Sequence, residues 1–122
     1  MFKEALEAIV AKTDGSLGAL IMGTDGLSVE TFFSTKGGVD SNLDVAAAEL
    51  TSVVRRAIKS GSDLDLGKLQ EMVVKLETVT FLIRFFNRDY FVMLALTPEG
   101  NVGRGRYELR KAELVLVNEF AM

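Results

Sequence analysis

Two stretches of this sequence, residues 17–22 and 90–96, are apolar at every position, and they constrain the fold more than any other feature. A strand with one solvated face alternates apolar and polar side chains, whereas a strand buried on both faces is apolar throughout. Each stretch has at most about seven residues, far fewer than the roughly 20 that a helix needs to cross a bilayer. We therefore predict no membrane span, and a sheet covered by helices on both faces, which is a three-layer α/β sandwich.

Turn residues divide the predicted strands into two hairpins. Asp25-Gly26, a dipeptide typical of tight turns, separates the first two strands, and Asn87-Arg88-Asp89 separates the last two. The segment before the second turn is rich in β-branched and aromatic residues, which favour strands. The predicted strands are residues 17–22, 27–33, 78–86 and 90–97.

Apolar residues spaced three and four positions apart predict three helices, at residues 2–13, 43–61 and 102–120. The second helix follows a polar loop at residues 34–40, which contains Gly37-Gly38, and a capping sequence at residues 41–44. Its apolar stripe, expected to pack on the sheet, consists of Leu43, Ala46, Ala47, Leu50, Val53, Val54, Ala57 and Ile58.

The third helix combines a cap, two glycines and a basic patch. Asn101 is a favourable N-cap residue. Gly103 and Gly105 lie in the first turn, where alanine would be preferred by roughly 1 kcal/mol each, and close packing on the sheet is the simplest explanation. Acidic residues interrupt the basic patch, so its pattern favours a solvated face, with contact to an acidic partner as the alternative. The patch consists of Arg104, Arg106, Arg110 and Lys111.

The residues alone leave segment 68–77 ambiguous. Its apolar positions Leu69, Met72, Val73 and Leu76 have helical spacing, while alternation of apolar residues around Val74 fits a strand, and the local pattern slightly favours the helix. A strand here would complete a five-stranded sheet and lie at its edge. Because an edge strand has unpaired backbone groups that must be covered or paired, dimerisation through it is one solution.

Composition excludes most catalytic chemistry. The chain has no Cys and no His, so it has no thiolate nucleophile, no imidazole base and none of the commonest zinc ligands. With 14 basic and 17 acidic residues its net charge is -3, which disfavours nucleic acid. Residues 61–69 lack the glycine spacing of a phosphate loop and the ligand pattern of a calcium loop. We expect no enzyme, cofactor, metal or nucleic acid, and the missing cysteines fit a cytoplasmic protein.

Three segments of the sequence resemble a known family. Residues 18–29 (GALIMGTDGLSV) resemble the first hairpin of the Roadblock/LC7 family, and residues 69–96 and 101–106 resemble its three-strand meander and final helix. The likeness covers nearly the whole chain and is greatest to the bacterial gliding and polarity type. It implies one profilin-like domain over residues 1–122, with the order α-β-β-α-β-β-β-α and a five-stranded antiparallel sheet between helices. It also implies that segment 68–77 is a strand.

The resemblance further implies a non-catalytic, cytoplasmic dimer that joins two sheets and sets two second helices side by side. Such proteins bind small Ras-like GTPases as activators, regulators or scaffolds, here in bacterial polarity or gliding motility. The alternative is an adaptor that binds other roadblock proteins without contacting a GTPase. The adaptor is favoured by the end of the chain at Met122, because the gliding type usually continues beyond the last helix. A rival function of a different class is a sensor that binds a small ligand by means of the apolar sandwich.

Two sets of candidate site residues follow. The second helix mixes small residues, which let another helix approach closely, with charges that select a partner. The same residues also fit a solvated face whose charges complement the helix dipole. The predicted partner face consists of Val45, Ala48, Glu49, Ser52, Arg55, Arg56 and Lys59. The predicted dimer edge strand consists of Gln70, Met72, Val73, Val74 and Lys75.

Overall fold

The computed structural model describes residues 2–34 and 40–120, and for residues 40–42 it describes the backbone alone. The predicted order α-β-β-α-β-β-β-α is confirmed. The elements are α1 (Phe2–Lys12), β1 (Ser16–Gly23), β2 (Ser28–Phe33), α2 (Asp40–Asp63), β3 (Glu71–Lys75), β4 (Thr80–Phe85), β5 (Tyr90–Leu96) and α3 (Val102–Glu119).

The five strands form one antiparallel sheet in the order β2-β1-β5-β4-β3. The two all-apolar strands, β1 and β5, are neighbours and place Leu20 opposite Met93 and Ile21 opposite Val92. Almost every residue of both strands is buried. The strands that the sequence marks as covered on both faces therefore lie in the interior of the sheet, with the two shorter edge strands outside them.

Helices cover both faces of the sheet, as predicted. Ile21, Val92 and Leu94 belong to a core shared with α1 and α3. Leu20 and Met93, which point the other way, belong to a second core beneath α2. The structure is therefore a three-layer sandwich with one helix on one side and two on the other. In the described ranges no helix is both long and apolar enough for a bilayer span.

Segment 68–77 contains the strand β3, Glu71–Lys75, so the helix that its local pattern slightly favours is wrong. β3 pairs with β4 throughout its length, with Val73 opposite Leu82. The pairing continues beyond the strand, where the Phe85 N–H donates to the Gln70 carbonyl at 3.0 Å. The backbone groups along this edge of β4 find hydrogen-bond partners only if the neighbouring segment is extended. This tertiary pairing outweighs the weak helical spacing of the segment.

The second helix is longer than predicted at both ends. It begins at Asp40, ahead of the expected capping sequence at residues 41–44, and it continues past Gly61 to Asp63. The chain then turns back, with the Leu66 N–H donating to the Gly61 carbonyl at 2.7 Å and Asp65 in the left-handed region at φ 57°. The predicted loop residues 35–39, including Gly37-Gly38, lie outside the described residues.

Asn101 caps α3 as predicted, because its Oδ1 accepts a hydrogen bond from the Arg104 N–H at 2.9 Å. The packing explanation holds for one glycine of the first turn. A Cβ on Gly105 would lie 2.8 Å from Leu82 Cδ1 and 3.0 Å from a Leu94 methyl, whereas a Cβ on Gly103 would meet nothing closer than 3.7 Å. Close packing therefore accounts for Gly105, and the same explanation for Gly103 is wrong.

The two glycines make a matched pair for a stability test. Gly103→Ala should stabilise the domain by up to about 1 kcal/mol, because it adds helix propensity in open space. Gly105→Ala gains the same propensity but presses on two buried leucines, and overpacking of this kind costs about 1–3 kcal/mol. We expect a net loss of stability for Gly105→Ala in urea unfolding. A gain as large as that of Gly103→Ala would contradict the tight contact.

Candidate interaction surface

The candidate surface begins at the outer edge of β3. Among the described residues, β4 pairs with one side of β3 and no strand pairs with the other. The Leu76 N–H donates to the Val79 carbonyl at 2.9 Å, and the Gln70 carbonyl also points to β4. Backbone groups alternate in direction along an antiparallel strand, so those of the three odd-numbered residues point outward. These residues are Glu71, Val73 and Lys75.

The side chains of β3 also make its outer edge suitable for pairing with another strand. Met72 and Val74 pack against the core beneath α2. Val73 is 46% exposed, and Leu76, directly after the strand, is 53% exposed. An edge with exposed apolar side chains and outward backbone groups is a template for pairing with another strand. The predicted edge residues Gln70, Met72, Val73, Val74 and Lys75 all lie on or next to β3, and their role in dimerisation stays a prediction.

A network of ion pairs holds β3 in place. Arg84 of β4 lies with its Nε 2.8 Å from Glu113 Oε1 of α3 and its Nη1 3.6 Å from Glu71 Oε1. Arg106 of α3 lies 2.6 Å from the other Glu71 oxygen. The Arg84, Glu71 and Glu113 side chains are only 18%, 22% and 27% exposed. The network thus ties the edge strand to both β4 and α3.

Sequence analysis missed this network. Its members are distant in sequence, so no local spacing connects them. The one available signal is Arg84 itself, the only charged residue in a strand that is otherwise apolar or β-branched. A buried or half-buried charge needs a partner, and this requirement points to an ion pair without identifying the other members.

On α2, hydrogen bonding establishes which side faces which part of the sheet. Arg55 Nη1 donates to the Thr24 carbonyl in the β1–β2 turn at 2.7 Å. Successive helical residues are about 100° apart, so the opposite flank of α2 faces the half of the sheet that ends in β3. That flank consists of Ala46, Leu50, Val53 and Ala57. Three of these residues are half-buried, but Val53 is 46% exposed, so the expectation that it packs on the sheet is wrong.

All seven predicted partner-face residues of α2 are half-buried or exposed, and none belongs to the core. Val45 is 62% exposed, and Lys59 forms an exposed ion pair with Asp63 at 2.8 Å. Arg55, in contrast, is already held by the β1–β2 turn. The seven residues remain a predicted partner face: Val45, Ala48, Glu49, Ser52, Arg55, Arg56 and Lys59. Sequence analysis assigned the α2 flank that faces β3 to core packing. The structure adds this flank to the candidate surface.

An open groove of about 780 Å³ lies beyond the end of α2, between the α2–β3 connection and the β4–β5 turn. Ile58, Leu69 and Phe85 contribute apolar surface, while Lys68 and Asp65 add charges of opposite sign. This mixture selects no particular ligand. Across residues 2–34 and 40–120 no three acidic side chains come together in a way that could hold a metal ion.

Comparison with known proteins finds matches among solved structures. No protein-family model and no curated protein sequence matches the chain. Among solved structures, MglC from Myxococcus xanthus is 34% identical, with a TM-score of 0.76 and 98% coverage of both chains. A Roadblock/LC7 domain from Streptomyces avermitilis is 14% identical, with a TM-score of 0.83, and covers 98% of this chain and 97% of its own.

The gliding protein MglB from Thermus thermophilus is 17% identical, with a TM-score of 0.84, and the match covers 95% of this chain and 85% of that one. At this identity, and at that of the Streptomyces domain, the likeness establishes the fold alone. The Myxococcus protein is similar in sequence as well, over nearly its full length.

The Arg84 network generates a stability prediction. Arg84→Met removes two ion pairs and leaves the half-buried Glu113 without a partner, so we expect a loss of about 1–3 kcal/mol in unfolding free energy. Hydrogen exchange at the Met72 and Val74 amides should also accelerate, because β3 loses its anchor. Lys59→Met, which breaks an exposed pair, should cost less than about 0.5 kcal/mol. Equal effects of the two variants would refute the anchoring role.

Proposed function

This chain belongs to the Roadblock/LC7 family, and on that premise we propose that it is a non-catalytic homodimer that regulates or scaffolds a small Ras-like GTPase. The observation that carries the proposal is the outer edge of β3, with which no strand pairs among the described residues. We extend to this chain the process for which the Thermus relative is described, gliding, together with cell polarity. We assign it to the cytoplasm, and the lack of His and Cys supports a non-catalytic role.

The β3 edge is self-complementary, which supports a homodimer. If two copies pair antiparallel about a two-fold axis at Val73, Glu71 lies opposite the partner's Lys75 and Met72 opposite the partner's Val74. The outward backbone groups of Glu71, Val73 and Lys75 then match those of the second copy in register. Opposite charges and apolar side chains in directly facing positions favour this pairing. The resulting dimer contains one continuous sheet of ten strands, twice the five of one chain.

The α2 helices complete the dimer surface. The flank with Ala46, Leu50, Val53 and Ala57 lies on the same face of the sheet as Met72 and Val74, so the dimer axis brings the two α2 flanks together. Small residues on this flank permit a close approach of the two helices. The charged side chains of the adjacent outward face then form one composite surface, and a GTPase docks there by charge and shape rather than by receiving a catalytic group.

An adaptor that binds only other roadblock proteins is the second candidate. The outer edge of β3 supports this candidate too, because no strand pairs with it among the described residues and a strand of another roadblock protein could do so. The two functions differ in one observable property. A GTPase regulator distinguishes nucleotide states of its partner, whereas an adaptor between roadblock proteins does not.

The native chain has no cysteine, so a single introduced cysteine tests the dimer register. In the proposed pairing the two Val73 residues form a hydrogen-bonded pair with Cα atoms about 5.5 Å apart, within the range for a disulfide. Val73→Cys should therefore give a covalent dimer on mild oxidation. Non-reducing electrophoresis and mass spectrometry measure the yield.

Val29→Cys on β2 is the control, because Val29 is similarly exposed, at 43%, but lies on the opposite edge of the sheet. It should remain monomeric on the same gel. Cross-linking of both variants to the same extent, or of Val29→Cys alone, would reject β3 as the dimer edge.

The GTPase partnership predicts nucleotide-dependent capture. Immobilised protein is incubated with lysate of its source organism in GDP or in a non-hydrolysable GTP analogue, and captured proteins are identified by mass spectrometry. We expect a small GTPase in one nucleotide state. The variant Arg56→Glu with Lys59→Glu should lose the GTPase but keep the dimer, because both side chains are exposed and Arg55 remains bonded to Thr24.

The matched control is Lys3→Glu with Lys12→Glu, which makes the same charge change at two exposed positions of α1. It should capture the GTPase as well as the native chain does. Capture of roadblock proteins in both nucleotide states, with no GTPase, would replace the regulator by the adaptor.

A further inference from the structure

The outward side of α3 has no role in the surface described above. α3 packs on the sheet through Gly105, Leu109, Ala112 and Leu116, which are all buried. On its opposite side, Tyr107 is 55% exposed, Leu114 71% and Val117 40%. Single exposed apolar side chains need no explanation, but these three lie along one side of the same helix, where a partner could cover all of them.

The positions along this side alternate in steps of four and three: Gly103, Tyr107, Arg110, Leu114 and Val117. We call these five residues the outer seam. This is the heptad spacing with which one helix packs along another, and it extends over roughly four turns. The spacing therefore favours a helical occupant over a strand or a small molecule.

Charges beside the outer seam indicate what kind of helix fits. Glu108, only 2% exposed, lies 2.8 Å from Arg104 and 3.4 Å from Lys111. Both cations also lie 5.4 Å from the Tyr107 ring. One buried carboxylate thus holds two cations beside the seam and neutralises only one of them. Because the cations are held in place before binding, an acidic partner would lose little side-chain entropy in contacting them.

Arg110 adds a further positive charge within the outer seam. No ion-pair partner for Arg110 is found among residues 2–34 and 40–120, whereas the acidic Glu113 nearby is already paired with Arg84. The surface around the seam is therefore positive on a chain of net charge -3. We propose that the outer seam of α3 is a docking site for one amphipathic helix of a partner protein, with apolar core positions and acidic flanking positions.

Charge also argues against a second copy of this chain and against a bilayer. Arg110 and Lys111 lie at the middle of α3, so antiparallel packing of two copies would set like charges against each other. α1 lies beside α3 on the same face of the sheet, as the 4.8 Å contact of Phe2 with Phe120 indicates. A flat anionic membrane would also meet α1, whose exposed charges, two Lys and two Glu, add no net positive charge, whereas one helix can follow the seam alone.

This site is independent of the proposed function. The outer seam belongs to α3, which covers the face of the sheet opposite α2. A partner helix on the seam and a GTPase on the α2 surface could therefore bind the same molecule at once, which would make the domain a bridge between two proteins. The Val73→Cys experiment tests the dimer and gives no information on the seam.

Two labelled synthetic peptides test the proposal. Both are about four heptads long with leucine at the core positions, and the flanking positions are all Glu in one and all Lys in the other. Fluorescence anisotropy with the full chain should detect binding of the Glu peptide only. Leu114→Ser should weaken that binding at least about tenfold, whereas Leu66→Ser, a change at a 76% exposed leucine elsewhere, should have no effect.

Arg110→Glu provides a second, electrostatic readout. It should shift the ratio of the two affinities at least about tenfold toward the Lys peptide, while Arg56→Glu on α2 leaves the ratio unchanged. Equal binding of both peptides by the native chain, or unchanged binding by Leu114→Ser, would overturn the proposal. So would tighter binding to phosphatidylglycerol vesicles than to the Glu peptide, or a lower mass of Leu114→Ser in sedimentation, because these results assign the seam to lipid or to a second copy.

Discussion

Burial of both faces of β5 and its neighbour β1 is the constraint on which the rest of the structure depends. Successive residues such as Val92 and Met93 enter different cores, so neither core can be removed without exposing half of the strand. A fully buried side chain of this size contributes about 1.5–3 kcal/mol relative to exposure. With helices on one face only, the side chains on the other face would stay exposed and would not contribute this free energy. Helices therefore cover both faces.

This arrangement also determines where function can reside. The interior strands are covered and paired, so they offer no surface to a partner. The edges are different, because β3 has a free hydrogen-bonding side and exposed apolar side chains. Its attachment relies on the half-buried ion pairs of Arg84, Glu71 and Glu113 in addition to apolar packing. Polar attachment leaves β3 firmly placed but still able to accept another strand, which is what an interaction edge requires.

Sequence patterns predicted most elements because each pattern reflects the conformational preference of a few neighbouring residues. Asp25-Gly26 marks a turn and Asn101 a cap regardless of what packs nearby. The failures have equally physical causes. Segment 68–77 has both helical and alternating spacing, and only the exposed edge of β4 decides between them. Val53 is apolar and has the right spacing for the core, yet it is 46% exposed, unlike the half-buried residues of the same α2 flank. No spacing could reveal the Arg84 network, whose partners come from three elements.

The sequence by itself determined the order of the elements other than β3, the three-layer class, the two hairpins and the absence of His and Cys chemistry. These properties depend on the periodicity and identity of neighbouring residues, which are written in the chain. Only the tertiary structure decided which flank of α2 faces β3, which backbone groups of β3 point outward, and that α3 has a second apolar seam among its cations. These depend on the relative placement of distant segments, which packing in three dimensions sets and local spacing does not encode.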